Sequence, residues 1–139
     1  MAAMKRSGQA LEARLTVDAI FDAEPEALIA VAGDFNAEAA ETPTRILMAA
    51  CDDTGNPALA SRALLAPERA LPPERRYSVI PGGEHVMLDH LLASPALMAR
   101  CRGMEIHNEA LSDELVAFAM KSESPESYHA PVVATFDLD

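Results

Sequence analysis

The sequence predicts a single α/β (α+β) domain, and three observations carry that expectation. Short apolar runs closed by glycine or proline alternate with segments of helical periodicity. At 139 residues the chain can bury one hydrophobic core and not two, so residues 1–139 form one domain. Half of the residues are apolar and 24% are charged, the balance of an ordinary globular protein.

Leu11, Leu15 and Ala19 recur at helical spacing, widened by Val17, Ile20 and Phe21, and predict a first helix over 7–22. Pro25 breaks it. The continuous apolar run Ala27–Ala32, ended by Gly33, predicts a strand buried on both faces. Thr42-Pro43 reads as an N-cap followed by proline in the first turn, opening a helix to about Asp52. Residues 58–76, rich in proline and arginine, read as loop. Arg76–Ile80 and Val86–Leu92 predict a hairpin around Pro81-Gly82-Gly83. Ser94-Pro95 repeats the capping device and predicts a helix to Gly103, followed by a strand over Met104–His107. A short helix over 112–121, a polar loop over 122–127 and a final apolar strand, Ala130–Phe136, complete the chain.

The formal net charge of −11 opposes sequence-independent attraction to nucleic acid, which depends on Lys and Arg meeting phosphates. Arg62, Arg69, Arg75 and Arg76 could form a local basic patch, but solvated loop charges are the plainer expectation. No run reaches the ~20 apolar residues of a membrane span, and Met1–Arg6 leads into a charged amphipathic stretch in which no secretory signal is visible, so a cytoplasmic protein is expected. Cys51 and Cys101 lack CxxC spacing and are expected as reduced, buried thiols.

Three segments place polar groups at the end of an apolar strand: Gly33-Asp34-Phe35-Asn36, Leu88-Asp89-His90-Leu91-Leu92-Ala93-Ser94, and Ser127-Tyr128-His129-Ala130-Pro131. Strand ends are where α/β folds open clefts, with the sheet holding each side chain in place. Each segment also has a plainer reading. Asp34 and Asn36 could satisfy turn backbone groups, and Asp89 with His129 could be a structural pair. His90 follows Asp89, so it should face the other side of the sheet and serve packing. His85 and His107 have no metal-ligand spacing.

Taken in order, the three segments resemble the later motifs of the endonuclease/exonuclease/phosphatase superfamily, which includes apurinic-site endonucleases, pancreatic deoxyribonuclease, neutral sphingomyelinases and inositol polyphosphate phosphatases. The resemblance implies the carboxyl-terminal half of a DNase-I-like four-layer α/β sandwich: one mixed, mostly antiparallel β-sheet with helices on one face. It implies a metal-dependent phosphoesterase, hydrolysing a phosphomonoester or phosphodiester as a phosphodiesterase or nuclease does, with Mg²⁺ or Mn²⁺ as cofactor. His129 would face the phosphate, Asp89 would orient it, Asp34 would position or deprotonate the attacking water, and Asn36 would donate its amide to a phosphate oxygen. Two departures stand against this pattern. The family's metal-binding Glu belongs to a first half that has no counterpart here, and none of Glu12, Glu24, Glu26 and Glu38 sits at a strand end. Tyr128 replaces the Asp that precedes the family's His, and a phenol stays protonated near neutral pH. A half-fold also leaves one sheet face uncovered, which implies a homodimer across that face or a separate amino-terminal half as partner. The other expectation is a non-catalytic oligomeric remnant that keeps the fold.

Overall fold

A long amino-terminal helix, α1 (Ala2–Ala23), lies against β1 (Ala30–Asp34) and α2 (Thr42–Met48) in a computed structural model that describes residues 2–121 and 127–139. The helix spans the expected 7–22 but starts earlier, at Ala2, and its buried face is not the expected one. Ala10, Arg14, Val17 and Phe21 point inward, while Leu11, Leu15 and Ile20 are exposed. Arg14 turns the helix. Its guanidinium donates to the carbonyls of Leu47 and Arg62 and pairs with Asp18, so a charge takes the place an aliphatic residue would fill. The core around it joins Val17, Phe21, Ile29, Leu47, Leu64 and Leu92.

The expected helix over 42–52 is two pieces. Glu41, not Thr42, is the cap residue, and Ala49 adopts a left-handed conformation (φ 46°) that ends α2 before α3 (Cys51–Thr54). The loop expected over 58–76 carries three 3-10 turns, Pro57–Arg62, Pro67–Ala70 and Pro73–Arg75, each opened by proline. Ser94 caps α4 (Pro95–Met98) by accepting from the Leu97 N–H. That helix stops well short of Gly103, because β3 (Cys101–Ile106) has already begun. α5 (Glu114–Met120) and β4 (Val132–Phe136) follow. Apart from Ser127, the polar loop expected over 122–127 lies outside the described residues.

The single sheet expected from the resemblance is corrected here. The described residues form a mixed α+β fold with two small antiparallel sheets: β1 with β2 (Asp89–Ala93), and β3 with β4. Ser78 explains the division. Its hydroxyl accepts from the Leu88 and Asp89 N–H groups, which a neighbouring strand would otherwise use, and its carbonyl accepts from Ala130. The expected hairpin is accordingly one bridge, Val79 with Val86. β1 is also not buried on both faces. Ala30, Ala32 and Asp34 are exposed on one side, whereas the helices cover Val31 on the other. Both thiols are free, but Cys51 is exposed and Cys101 half-buried, which corrects their expected burial. Among the described residues, no helix is long and apolar enough to cross a membrane.

Candidate functional site

Strand register brings the two acidic residues together. β1 and β2 pair from Ala30 opposite Ala93 to Asp34 opposite Asp89, so both carboxylates leave the same face at the same rung. The ladder runs one bond further, with the Phe35 N–H donating to the Leu88 carbonyl at 2.9 Å. The chain then turns. Asn36 takes a left-handed conformation (φ 47°), one that asparagine tolerates better than most residues. Its N–H donates to Asp34 Oδ1 at 2.9 Å and its amide Nδ2 donates to Asp34 Oδ2 at 3.2 Å. The turn-forming role of these two residues is therefore real. These two bonds leave one Nδ2–H of Asn36 and lone pairs on both Asp34 oxygens unused.

His129 reaches this rung from the segment leading into β4. Its Nδ1 lies 2.7 Å from Asp89 Oδ2, across 40 residues of sequence. Asp34, Asp89 and His129 each bring one donor atom within 4.8 Å of the others. Asp89 is half-buried and Asp34 exposed, so one carboxylate is held while the other meets solvent. Ser78 aligns the two strands that carry the pair, bonding Asp89 N–H through its hydroxyl and Ala130 N–H through its carbonyl. The cluster borders an open cavity of about 190 Å³, walled by Ala32, Gly33, Leu91, Ala130 and Val132.

Behind the cluster, His90 points to the opposite face of β2, and its side chain is wholly buried. Nε2 lies 2.9 Å from the Ala37 carbonyl and Nδ1 lies 3.0 Å from Glu68 Oε1. Burial by itself lowers the His90 pKa. Hydrogen bonds to Glu68 and Ala37, with the charges of Glu68 and Asp89, outweigh it and raise the value above that of a free histidine. Among the described residues, buried Glu68 Oε2 has no hydrogen-bond partner, a burden of about 1–3 kcal/mol for such an atom.

Four sequence-predicted site residues, Asp34, Asn36, Asp89 and His129, thus lie together. His85 stacks on Tyr77 with ring centroids 3.7 Å apart, and exposed His107 lies near Glu105; both are remote from the cluster in their contacts. Three of the loop arginines are tied down within the fold: Arg62 pairs with Asp22, Arg75 with Glu109, and Arg76 donates to the Leu71 and Arg69 carbonyls. Sequence reasoning missed Ser78 and Glu68. A small hydroxyl just before the apolar pair Val79-Ile80 could have signalled Ser78, but nothing marks Glu68 among its charged neighbours.

Two of the three groups, the carboxylates of Asp34 and Asp89, form a donor set that suits a hard divalent cation at an open rim, while Nδ1 of His129 is taken up by Asp89. It is a small set, and Tyr128 adds no carboxylate to it. Compared with known proteins, the chain matches no family model, no curated protein and no solved structure.

Proposed function

We propose that Asp34, Asn36, Asp89 and His129 form the working edge of a phosphate-ester hydrolase of the endonuclease/exonuclease/phosphatase type. The observation that carries this reading is the rung at which Asp34 stands opposite Asp89 while His129 closes on Asp89. Two carboxylates directly opposite one another in a sheet repel. Such an arrangement makes sense where cationic groups join it, and phosphoryl transfer requires both positive charge and a positioned base.

Asp89 holds the His129 ring through Nδ1, which leaves Nε2, as the N–H of the imidazolium form, to donate to a phosphoryl oxygen. Asp34 orients the attacking water and takes its proton, and the remaining amide N–H of Asn36 donates to the phosphate. Asp34, with the outer oxygen of Asp89, would hold Mg²⁺ or Mn²⁺, which would supply Lewis-acid stabilisation of charge on the phosphoryl group. The DNase-I-like half-sandwich belongs to the same proposal. So does its completion by a second copy, or by a separate amino-terminal half, across the exposed side of β1.

The second reading is a non-catalytic oligomeric module, favoured by Tyr128 and by the small donor set. Hydrolysis of bis-(p-nitrophenyl) phosphate with Mg²⁺ or Mn²⁺ decides between them, measured on the natural chain and on Tyr128→Asp. Turnover that rises in Tyr128→Asp and disappears in Asp34→Asn supports the hydrolase. No turnover and no metal binding in either chain leaves the module.

A further inference from the structure

We propose that Glu68 and His90 are positioning residues, a buried brace that sets the Asp34–Asn36 turn relative to Asp89; this rests on the hydrolase reading above. The ring of His90 is held at both ends. A carbonyl can only accept, so Nε2 carries a hydrogen and donates it to Ala37 at 2.9 Å. The proton between Nδ1 and Glu68 Oε1 is shared across 3.0 Å, whichever partner owns it. Neither end can rotate without leaving a buried polar group unmatched, since the side chains are 0% and 5% exposed.

What the brace holds is the turn itself. Ala37 directly follows Asn36, whose left-handed backbone and bond to Asp34 Oδ1 fix the direction of the Asp34 carboxylate. Phe35, between them, packs its ring 5.3 Å from that of His90. On the front of β2, the residue next to His90 is Asp89, which holds His129. One strand position therefore links the two halves of the candidate site: the turn from behind and the Asp–His pair from in front. Glu68 enters from the 3-10 turn Pro67–Ala70 and is the fixed end of the chain of contacts. A residue that merely filled space here would need no charge. An apolar ring would pack as well against Phe35.

The test uses the full chain and Mn²⁺ alone as probe. Binding is read by titration calorimetry and the turn by hydrogen exchange at the Asn36 N–H. His90→Phe keeps the ring and removes both hydrogen bonds; it should weaken Mn²⁺ binding by about 10-fold or more and accelerate Asn36 exchange. Glu68→Leu should do the same. Glu68→Gln, which still offers Nδ1 a hydrogen-bond partner, should restore both readouts to within about 3-fold of the natural chain. Leu92→Val, a core change elsewhere on the same strand, should lower stability without moving Mn²⁺ affinity. If His90→Phe does not fold, the two Glu68 variants carry the comparison. Equal binding and exchange in Glu68→Leu and Glu68→Gln, or natural affinity in a folded His90→Phe, overturns the brace. A natural chain that binds no Mn²⁺ sinks the hydrolase reading instead, and Asn36 exchange in the Glu68 pair then decides whether the turn is braced.

Discussion

At the residue scale, one hydrogen bond decides what His129 can do. With Asp89 Oδ2 at 2.7 Å, Nδ1 is the nitrogen that carries hydrogen, because an ionised carboxylate can only accept. The neutral ring is then held as the Nδ1–H tautomer, the opposite of the form that free histidine favours, with Nε2 presented as the open position. Imidazole nitrogen-15 shifts of the natural chain at alkaline pH should therefore show a protonated Nδ1 and a bare Nε2. In Asp89→Leu the two signals should move towards the mixture of a free side chain. A natural chain already at that mixture would mean that Asp89 does not orient the ring. The contrast with His90 is instructive. That ring is also held by a carboxylate, but its second nitrogen is spent on Ala37, so it can brace the site and not enter the chemistry.

At the element scale, short pieces of secondary structure are joined by side chains where longer strands would use backbone ladders. Asp113 shows it best. Its carboxylate caps α5 by accepting from the Leu115 and Val116 N–H groups, and it also accepts from Gly82 and Gly83 in the turn before Val86. Its pKa is lowered, first by the bond from Val116 against a smaller opposing effect of burial, then by the bonds from Gly82, Gly83 and Leu115. A carboxylate whose pKa is lower folded than unfolded stabilises above its unfolded value of about 3.9, and that contribution is lost as pH falls through the folded value. Thermal melts from pH 7 down to pH 2 should therefore show the natural chain above Asp113→Ala at neutral pH, with the two curves converging in acid. A gap independent of pH would refute the charge-based cap. The same joinery explains what the sequence reveals and what it withholds. Strand-end residues were legible because an apolar run closed by Gly33 or opened by Pro131 marks its own boundary. Ser94 was legible because a cap followed by proline is a local device. The buried face of α1 was not, since Arg14 is placed by carbonyls 33 and 48 residues away. Nor was the division into two sheets, which turns on the hydroxyl of Ser78. Periodicity reports apolar patterning and is silent on where a polar side chain will find its partner.

At the scale of the whole molecule, the uncovered side of the β1–β2 pair and the outer stripe of α1 compete as places for a second chain. The register puts Ala30, Ala32 and Asp34 on one side with Leu91 and Asp89, beside Leu65 and the site cavity. Met4, Leu11 and Leu15 make the other surface, exposed along the helix. The proposed completion of the site uses the first. A stable interface covers about 800 Å² on each partner, and here two copies each carrying −11 must approach. Repulsion between like charges is screened by salt, whereas apolar burial is not weakened by it. Self-association should therefore strengthen with ionic strength, by about tenfold for each 1.4 kcal/mol of repulsion removed. Sedimentation velocity at low and high salt measures this directly. Ala32→Glu should abolish the dimer at either salt and Leu15→Glu should leave it intact. The reverse outcome would put the contact on α1 and leave Asp34 and His129 facing solvent in the dimer. A monomer under all conditions would remove the homodimer and leave a separate amino-terminal half as the partner that could complete the site.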